Sequence, residues 1–381
     1  MIALARKTLV YEWRRFVPSI FAVGFAGVLL VMQAALVLGI FSTAAIYVNA
    51  SSADLWVGYP GTQSVNYGRA IDQDVEMRLR MDPGVAEVEP YLWLDGDWRA
   101  NDPGEDAIGG VSVYLSGISP AEQGMLFDRV LAPWQRQLLR EPGAVIVDRA
   151  DLDTLASKEG DVAWINNHKV RIVAVVNGLR GLGGVNVIGS LASVREIAGV
   201  PGEQGTTYLL ARTRAGVDAK QVQQRLNAAG GSFGPAETWL AKEFALRSEM
   251  YWMFNTGAGA GVLFMAIVVC LVGAVVTSQS LRTVVAGSAR EYAVLNALGV
   301  SRGALGRVVV EQAFWIGAAG MVLALVASAA LLTLAHHYQV PVTLNLSAVL
   351  ACAGLIAVLA LFSGIGAMRG LLRAEPAALL R

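Results

Sequence analysis

The sequence predicts an α-helical membrane protein with four transmembrane helices and a mixed α+β domain held outside the cytoplasm. Three observations predict it. Of 381 residues, 55% are apolar and 16% charged, whereas an ordinary soluble chain carries about 25% charged residues. The apolar residues gather in four segments, Phe16–Tyr47, Thr256–Gln279, Val308–Ala335 and Leu346–Met368, each beyond the roughly 20 residues that cross a bilayer. The intervening stretch 49–250 mixes Pro, Gly, charge and short β-like runs, and is long enough to bury a core of its own.

Residues 1–48 form the first part. Ile2, Ala5, Leu9, Trp13 and Phe16 share one helical face, with Lys7, Arg14 and Arg15 off it, which predicts an interfacial helix leading into the first span. Val48-Asn49-Ala50 offers a cleavage site for a signal peptide. The apolar run exceeds the roughly 7–15 residues of such a peptide's hydrophobic region, so an uncleaved anchor is expected.

Residues 49–250 read as alternating strands and helices. Strands are predicted at Val111–Ile118, Gly143–Val147, Val162–Ile165, Lys169–Val176, Val185–Ile188 and Thr206–Arg212. Helices are predicted at Asp72–Met81, Ser119–Phe127, Leu191–Ala198 and Asp218–Ala228. Asn166-Asn167 reads as a hairpin turn. Glu237–Phe254 has a continuous helical pattern and is expected to be a rigid stalk leading to the second span.

Residues 251–381 hold the other three spans. Arg282, Arg290, Arg302 and Arg307 concentrate positive charge in the loop 282–307, while the loop His336–Pro341 carries no Lys or Arg. Basic residues mark the cytoplasmic side. Both termini and the central loop are therefore expected inside, and the large domain outside.

The central loop is the expected working element. In Arg290-Glu291-Tyr292-Ala293-Val294-Leu295-Asn296-Ala297-Leu298-Gly299 the residues Val294, Leu295 and Leu298 share one helical face. Gly299 falls where a left-handed cap ends a helix, and Ser301 can cap the next, which opens near Arg302. A charged and apolar helix held between two spans predicts a cytoplasmic protein partner.

Several chemistries are excluded or disfavoured. Thirty basic and thirty acidic residues give zero net charge, so no basic field points to nucleic acid. Cys270 and Cys352 both lie in apolar segments and read as core residues. Three histidines without a His-Glu-x-x-His run or a cysteine cluster argue against zinc. The spans lack the paired carboxylates or Ser/His set of an intramembrane protease. The glycine-rich run Gly178–Gly184 lacks the fingerprint spacing and reads as a mobile surface loop; no Gly-x-x-x-x-Gly-Lys-Ser/Thr run occurs. No cofactor or metal is expected on this chain. Gly257-x-x-x-Gly261 and Gly366-x-x-x-Gly370 have the spacing of close helix approach, either within the chain or between subunits.

The order span, large external domain, three spans, together with Arg290–Gly299 and the ending Glu375-Pro376-Ala377-Ala378-Leu379-Leu380-Arg381, resembles the FtsX/MacB-type ABC transporter permeases over essentially the whole chain. Within that family it looks most like the DevC-type exporter subunit, through Ser52-Ala53-Asp54-Leu55, Val147-Asp148-Arg149, Glu291-Tyr292-Ala293 and Ser363-Gly364-Ile365-Gly366-Ala367-Met368-Arg369. The resemblance implies a non-catalytic bacterial inner-membrane permease, acting as a homodimer with two copies of a separate ATPase that binds ATP and Mg. Arg290, Glu291, Tyr292, Val294, Leu295, Leu298, Gly299 and Arg302 would then form the ATPase-coupling element. It also implies a periplasmic membrane-fusion adaptor, an outer-membrane duct and an amphiphilic, lipid-like cargo moved by mechanotransmission. Relatives of the same architecture act instead as relays to a cell-wall hydrolase or extract lipoproteins. A neighbouring adaptor or hydrolase gene discriminates the two.

Overall fold

The computed structural model describes residues 11, 13–101, 110–199, 206–228, 234–287, 301–338 and 340–373. They divide into two compact units, Phe41–Gly259 and a membrane unit drawn from Met1–Ile40 and Ala260–Arg381.

The membrane unit is helical. Helix α1, Trp13–Ser42, carries the start of an apolar stretch, Phe16–Asn49, that is long enough to cross a bilayer. Its Phe16, Val23 and Leu30 recur at heptad spacing and bury against residues of the last two helices, Ala313, Ile316 and Ile356.

The external unit begins with a 3-10 turn, Thr43–Ala45, and α2, Ile46–Asn49. Its first sheet contains β1 (Leu55–Gly58) and the first half of β2 (Val85–Arg99), with α3 (Gln73–Met81) between them in sequence. β3 (Val111–Ile118), α4 (Pro133–Leu138), β4 (Ala144–Asp148), β5 (Val162–Ile165), β6 (His168–Val176), β7 (Val185–Ser190) and α5 (Leu191–Ile197) follow. β8 (Tyr208–Thr213), α6 (Ala219–Ala228), β9 (Glu237–Leu240) and α7 (Ala241–Phe254) complete the unit. Beyond it lie α8 (Gly257–Gly287), α9 (Arg302–His337) and α10 (Leu346–Arg373).

β2 joins two sheets. Its residues Val85–Tyr91 pair antiparallel with β8, which continues to β1 and then β9. Leu92–Trp98 pair with β3, and Trp98 and Arg99 pair with β5. The ladder then runs β3 to β7, β7 to β4, β4 to β6 and β6 to β5. Those six strands close on themselves as a mixed barrel. Alternation along each strand fills it: Val113 and Leu115 of β3, Val145 and Val147 of β4, and Val185 and Val187 of β7 share one buried cluster. The hairpin predicted at Asn166-Asn167 is present, with φ of 48° and 67° at those residues, as a two-residue primed turn demands.

Three expectations need correction. Glu237–Phe254 is not one helix: Glu237–Leu240 pairs with β1 as an edge strand, and the helix starts at Ala241. Thr238 and Trp239 are both buried in the sheet, so tertiary pairing overrides the helical period. Ser119–Phe127 forms turns instead of a helix. Phe127 takes a positive φ of 58°, and the Glu89 carboxylate accepts from the Met125 and Leu126 amides, satisfying donors that a helix would have used. The Gly178–Gly184 run is anchored, because Leu179 is fully buried and its amide donates to Asp148 Oδ2 at 2.7 Å.

Candidate functional site: the junction of the membrane-linked helices with the external domain

The coupling residues read from the sequence, Arg290, Glu291, Tyr292, Val294, Leu295, Leu298 and Gly299, lie outside the described residues. Arg302 opens α9 directly after Ser301. Gly366 and Gly370 are helical positions in α10 whose surroundings also fall outside.

The described residues include the place where the chain enters and leaves the external unit. α2 and α7 are fixed in one aromatic core. Trp56 sits within 5.9 Å of Tyr91, 5.6 Å of Tyr208 and 5.7 Å of Phe244, ring centre to ring centre. Phe244, on the inner face of α7, stacks on Trp239 at 4.6 Å. Tyr47 of α2 packs 6.2 Å from Phe127 and 6.4 Å from Tyr91. Such contacts add stabilisation beyond the area that they bury. Burial pushes the Tyr91 and Tyr208 phenols well above their ordinary range, so both remain neutral; Tyr208 donates to the Val65 carbonyl at 2.9 Å and Tyr91 shares a hydrogen bond of 3.0 Å with Ser116 Oγ.

A polar thread runs outward from that core. Tyr47 OH donates to Asn186 Oδ1 at 2.5 Å, Asn186 Nδ2 donates to the Leu179 carbonyl at 2.5 Å, and Asp148 Oδ2 receives the Leu179 amide. The end of α2 is thereby tied to the glycine-rich loop and to the end of β4. Asp148 belongs to the Val147-Asp148-Arg149 motif; it is buried and also accepts from Ala150 N at 2.8 Å. Asp151 beside it is raised by burial, with Asp148 adding to the shift and Arg180 opposing it. The Arg180 Nε stands 3.6 Å from Asp151 Oδ1. A buried pair, Arg136 and Glu89 at 3.8 Å, holds the 119–139 segment, with Arg136 also donating to the Leu126 and Ser119 carbonyls. Burial raises Glu89 and lowers Arg136.

The Ser52-Ala53-Asp54-Leu55 motif forms the lower seam. Asp54 O accepts from Ala241 N at 2.9 Å, its carboxylate accepts from Thr213 N at 2.8 Å, and Arg212 donates to Ser52 Oγ at 2.8 Å. A cavity of about 420 Å³ opens here, lined by Ser52, Asp54, Arg129 and Lys242 among others.

Glycines decide several close approaches within the chain. A Cβ on Gly257 or Gly261 would meet nothing within 4 Å. Gly259, between them, is the tight one: its Cβ would fall 1.4 Å from the Met253 carbonyl oxygen. It lies just past the break at Asn255 and Thr256, where α7 stops. In the membrane unit, a Cβ on Gly24 would lie 2.7 Å from Leu323, one on Gly27 2.6 Å from Ala324, and one on Gly320 2.7 Å from Val23. α1 and α9 therefore pack glycine to small or branched residue, as membrane helices do. Gly24 and Gly27 are three apart, so a search for Gly-x-x-x-Gly passes over them. Ser19 and Ser280 add a hydroxyl contact of 2.9 Å between α1 and α8.

These features define an integral membrane protein whose external α+β domain is inserted between the first helix and a helical C-terminal region. The family model for the MacB-like periplasmic core domain matches residues 19–229, more than half of the chain, and that for the FtsX-like permease C-terminal matches residues 263–376. The chain belongs to the FtsX/MacB-type permease family. Among solved structures it is similar to the periplasmic region of MacB from Actinobacillus actinomycetemcomitans, with 14% identity over 52% of this chain and 94% of that one and a TM-score of 0.35. It is also similar to the extracellular domain of the noncanonic ABC-type transporter YknZ from Gram-positive bacteria, with 13% identity over 49% and 98% and a TM-score of 0.33. No curated protein matches the sequence. Membership makes it a permease-type membrane subunit of an ABC transporter, with a periplasmic domain and an ABC ATPase as partner.

Proposed function

We propose that this chain is a DevC-type exporter permease that turns ATP-driven movement of a separate ATPase into movement of its periplasmic domain. It spans the inner membrane four times with both termini in the cytoplasm, and works as a homodimer with two ATPase copies. Arg290–Gly299 and Arg302 form the coupling element on the ATPase, which binds the ATP and Mg. Cargo is an amphiphile taken from the periplasm or outer leaflet and passed to a membrane-fusion adaptor and an outer-membrane duct. Gly257 and Gly261, open within the chain, serve contact between copies, as do Gly366 and Gly370.

One observation carries this reading. The helix that ends the first apolar stretch and the helix that precedes the second are anchored in the same buried core through Tyr47 and Phe244. A displacement delivered to either is shared by the whole domain, because close-packed cores transmit strain. The apolar segments, by contrast, offer few polar groups to replace the hydration of a cargo crossing the bilayer, and unpaired polar groups there cost several kcal/mol.

The test is electron-electron distance measurement on Leu246→Cys, an exposed α7 site, spin-labelled in full-length protein without Cys270 and Cys352 and assembled with its ATPase. A dipolar signal between two copies that shifts when the ATPase is trapped with ATP and vanadate is expected. An unchanged distance sinks the transmission mechanism. Glu291→Lys should separately release the ATPase on co-purification, and full retention of coupled turnover would remove the docking role.

A further inference from the structure

The last turn of α7 and the glycine-rich loop meet at one level of the external unit. Tyr67 stacks on Trp252 at 6.1 Å and meets Tyr251 edge-on at 5.4 Å. Trp252 Nε1 donates to Ser64 Oγ at 3.1 Å, and Asn66 Nδ2 donates to the Leu182 carbonyl at 3.4 Å. A Cβ on Gly183 would sit 3.7 Å from the Trp252 ring. These three segments form one surface although they lie far apart in sequence.

That surface leads along the chain into an apolar helix. The apolar helix long enough to cross a bilayer runs from Gly259 to Ser280, and Gly259 is the residue pressed against the Met253 carbonyl. Trp252 is therefore next to the point where the apolar segment begins. Tyr and Trp concentrate at that depth because one end of the ring is apolar and the other forms hydrogen bonds. Tyr67, packed on Trp252, is 49% exposed, and Phe254, two residues beyond Trp252 in the chain, is 64% exposed. Arg180 stands on the same loop with its side chain 47% exposed, held loosely by Asp151 at 3.6 Å.

We infer that Tyr67, Tyr251, Trp252 and the loop bearing Arg180, Leu182 and Gly183 form a rim that lies in the headgroup layer of the outer leaflet. Arg180 binds phosphate there, for which a guanidinium is suited by shape and charge. The rim would keep the domain seated on the bilayer where an amphiphile leaves it. This inference rests on the reading of Gly259–Ser280 as a span, and the experiment separates the two.

Spin labels are placed singly at Tyr67→Cys, Arg180→Cys, Phe264→Cys and Trp134→Cys in the full-length chain without Cys270 and Cys352, in nanodiscs of phosphatidylethanolamine and phosphatidylglycerol. Collision with oxygen and with a water-soluble nickel chelate gives the depth of each. Phe264, 65% exposed in the apolar helix, should read as hydrocarbon, and Trp134, 60% exposed on α4, as water. Tyr67 and Arg180 should both show nickel collision severalfold below Trp134 and oxygen collision between the two references. If Phe264 reads as hydrocarbon while either rim site reads like Trp134, the rim is overturned and the span stands. If Phe264 reads as water, both readings fall. Arg180→Cys leaves the buried anchors of its loop in place, so where the Tyr67 variant fails to fold its reading is set aside and the depth at Arg180 decides.

Discussion

Gly259→Ala isolates the turn between α7 and the apolar helix that follows it. The added methyl carbon would stand 1.4 Å from the Met253 carbonyl oxygen, about 2 Å short of ordinary carbon contact. The obstacle is backbone, so no rotamer change relieves it. Alanine favours a helix over glycine by about 1 kcal/mol, and overpacking of this kind costs about 1–3 kcal/mol where structure can shift. A displacement of the required size puts the balance on the unfavourable side. The expected result is a turn that opens more readily, with amide exchange faster by about 5- to 150-fold for about 1–3 kcal/mol. The amides to follow include Asn255, which donates to Tyr251 O at 2.8 Å, and Gly259, which donates to Thr256 O at 3.2 Å. Hydrogen-exchange mass spectrometry on the full chain in nanodiscs reads them directly. Gly257→Ala and Gly261→Ala supply the controls: each meets open space within its own chain, so an added methyl bears on the proposed contact between copies and should slow exchange at this turn or leave it alone. Wild-type exchange in Gly259→Ala, or the same acceleration in all three variants, refutes the reasoning.

Two further outcomes follow from the external unit. Tyr47→Phe deletes the donor to Asn186 Oδ1 and should destabilise the domain by about 1–3 kcal/mol, seen as a lower midpoint in thermal unfolding; an unchanged midpoint would show that this bond has no net worth. Asp82 is held below the usual carboxylate range chiefly by its hydrogen bonds from Arg225, at 2.6 and 2.9 Å, and by Gly84 N. Because its folded pKa is depressed, its contribution is present above about pH 4, the unfolded value, and is lost as pH falls through the lower folded one. Asp82→Asn should therefore lower stability at pH 7, by about 1 kcal/mol once solvent screening at the half-exposed arginine is allowed for, and flatten the acid limb of the stability profile. A parallel profile would sink that assignment.

Local pattern made much of the external unit legible. Val111–Ile118 is the strand the pattern predicts, and the boundaries at Val185, Leu191 and Val176 hold: β6 alternates between buried and more exposed positions, and β7 is a short apolar run buried at every position. β1, β2 and β9 are not predicted as strands: β1 is four residues buried throughout, β9 sits inside a helical pattern, and β2, 15 residues long, passes from one sheet to the other so that its burial follows no single alternation. Ser119–Phe127 has helical residues, but the buried Glu89 and Arg136, distant in sequence, claim its backbone groups. Barrel closure depends on two pairs at the end of β2, Trp98 with Ile165 and Arg99 with Trp164, which no local signal announces. At the junction, Asp148 was legible as a motif while its partner Leu179 was not, since the hydrogen bond crosses 31 residues.

β1 and β9 are neighbours, Leu55 opposite Leu240, and the Asp54 carbonyl meets the Ala241 amide immediately beyond them. Everything from residue 55 to residue 240 is thus a detour that returns to its starting place. Lengthening a closed detour is thermodynamically cheap, about 0.6 kcal/mol for each doubling of a flexible loop. What holds α2 and α7 is this clasp together with Trp56, Tyr91, Tyr208 and Trp239 packed on Tyr47 and Phe244, so added length is best tolerated in the loops of the detour that lie away from that core.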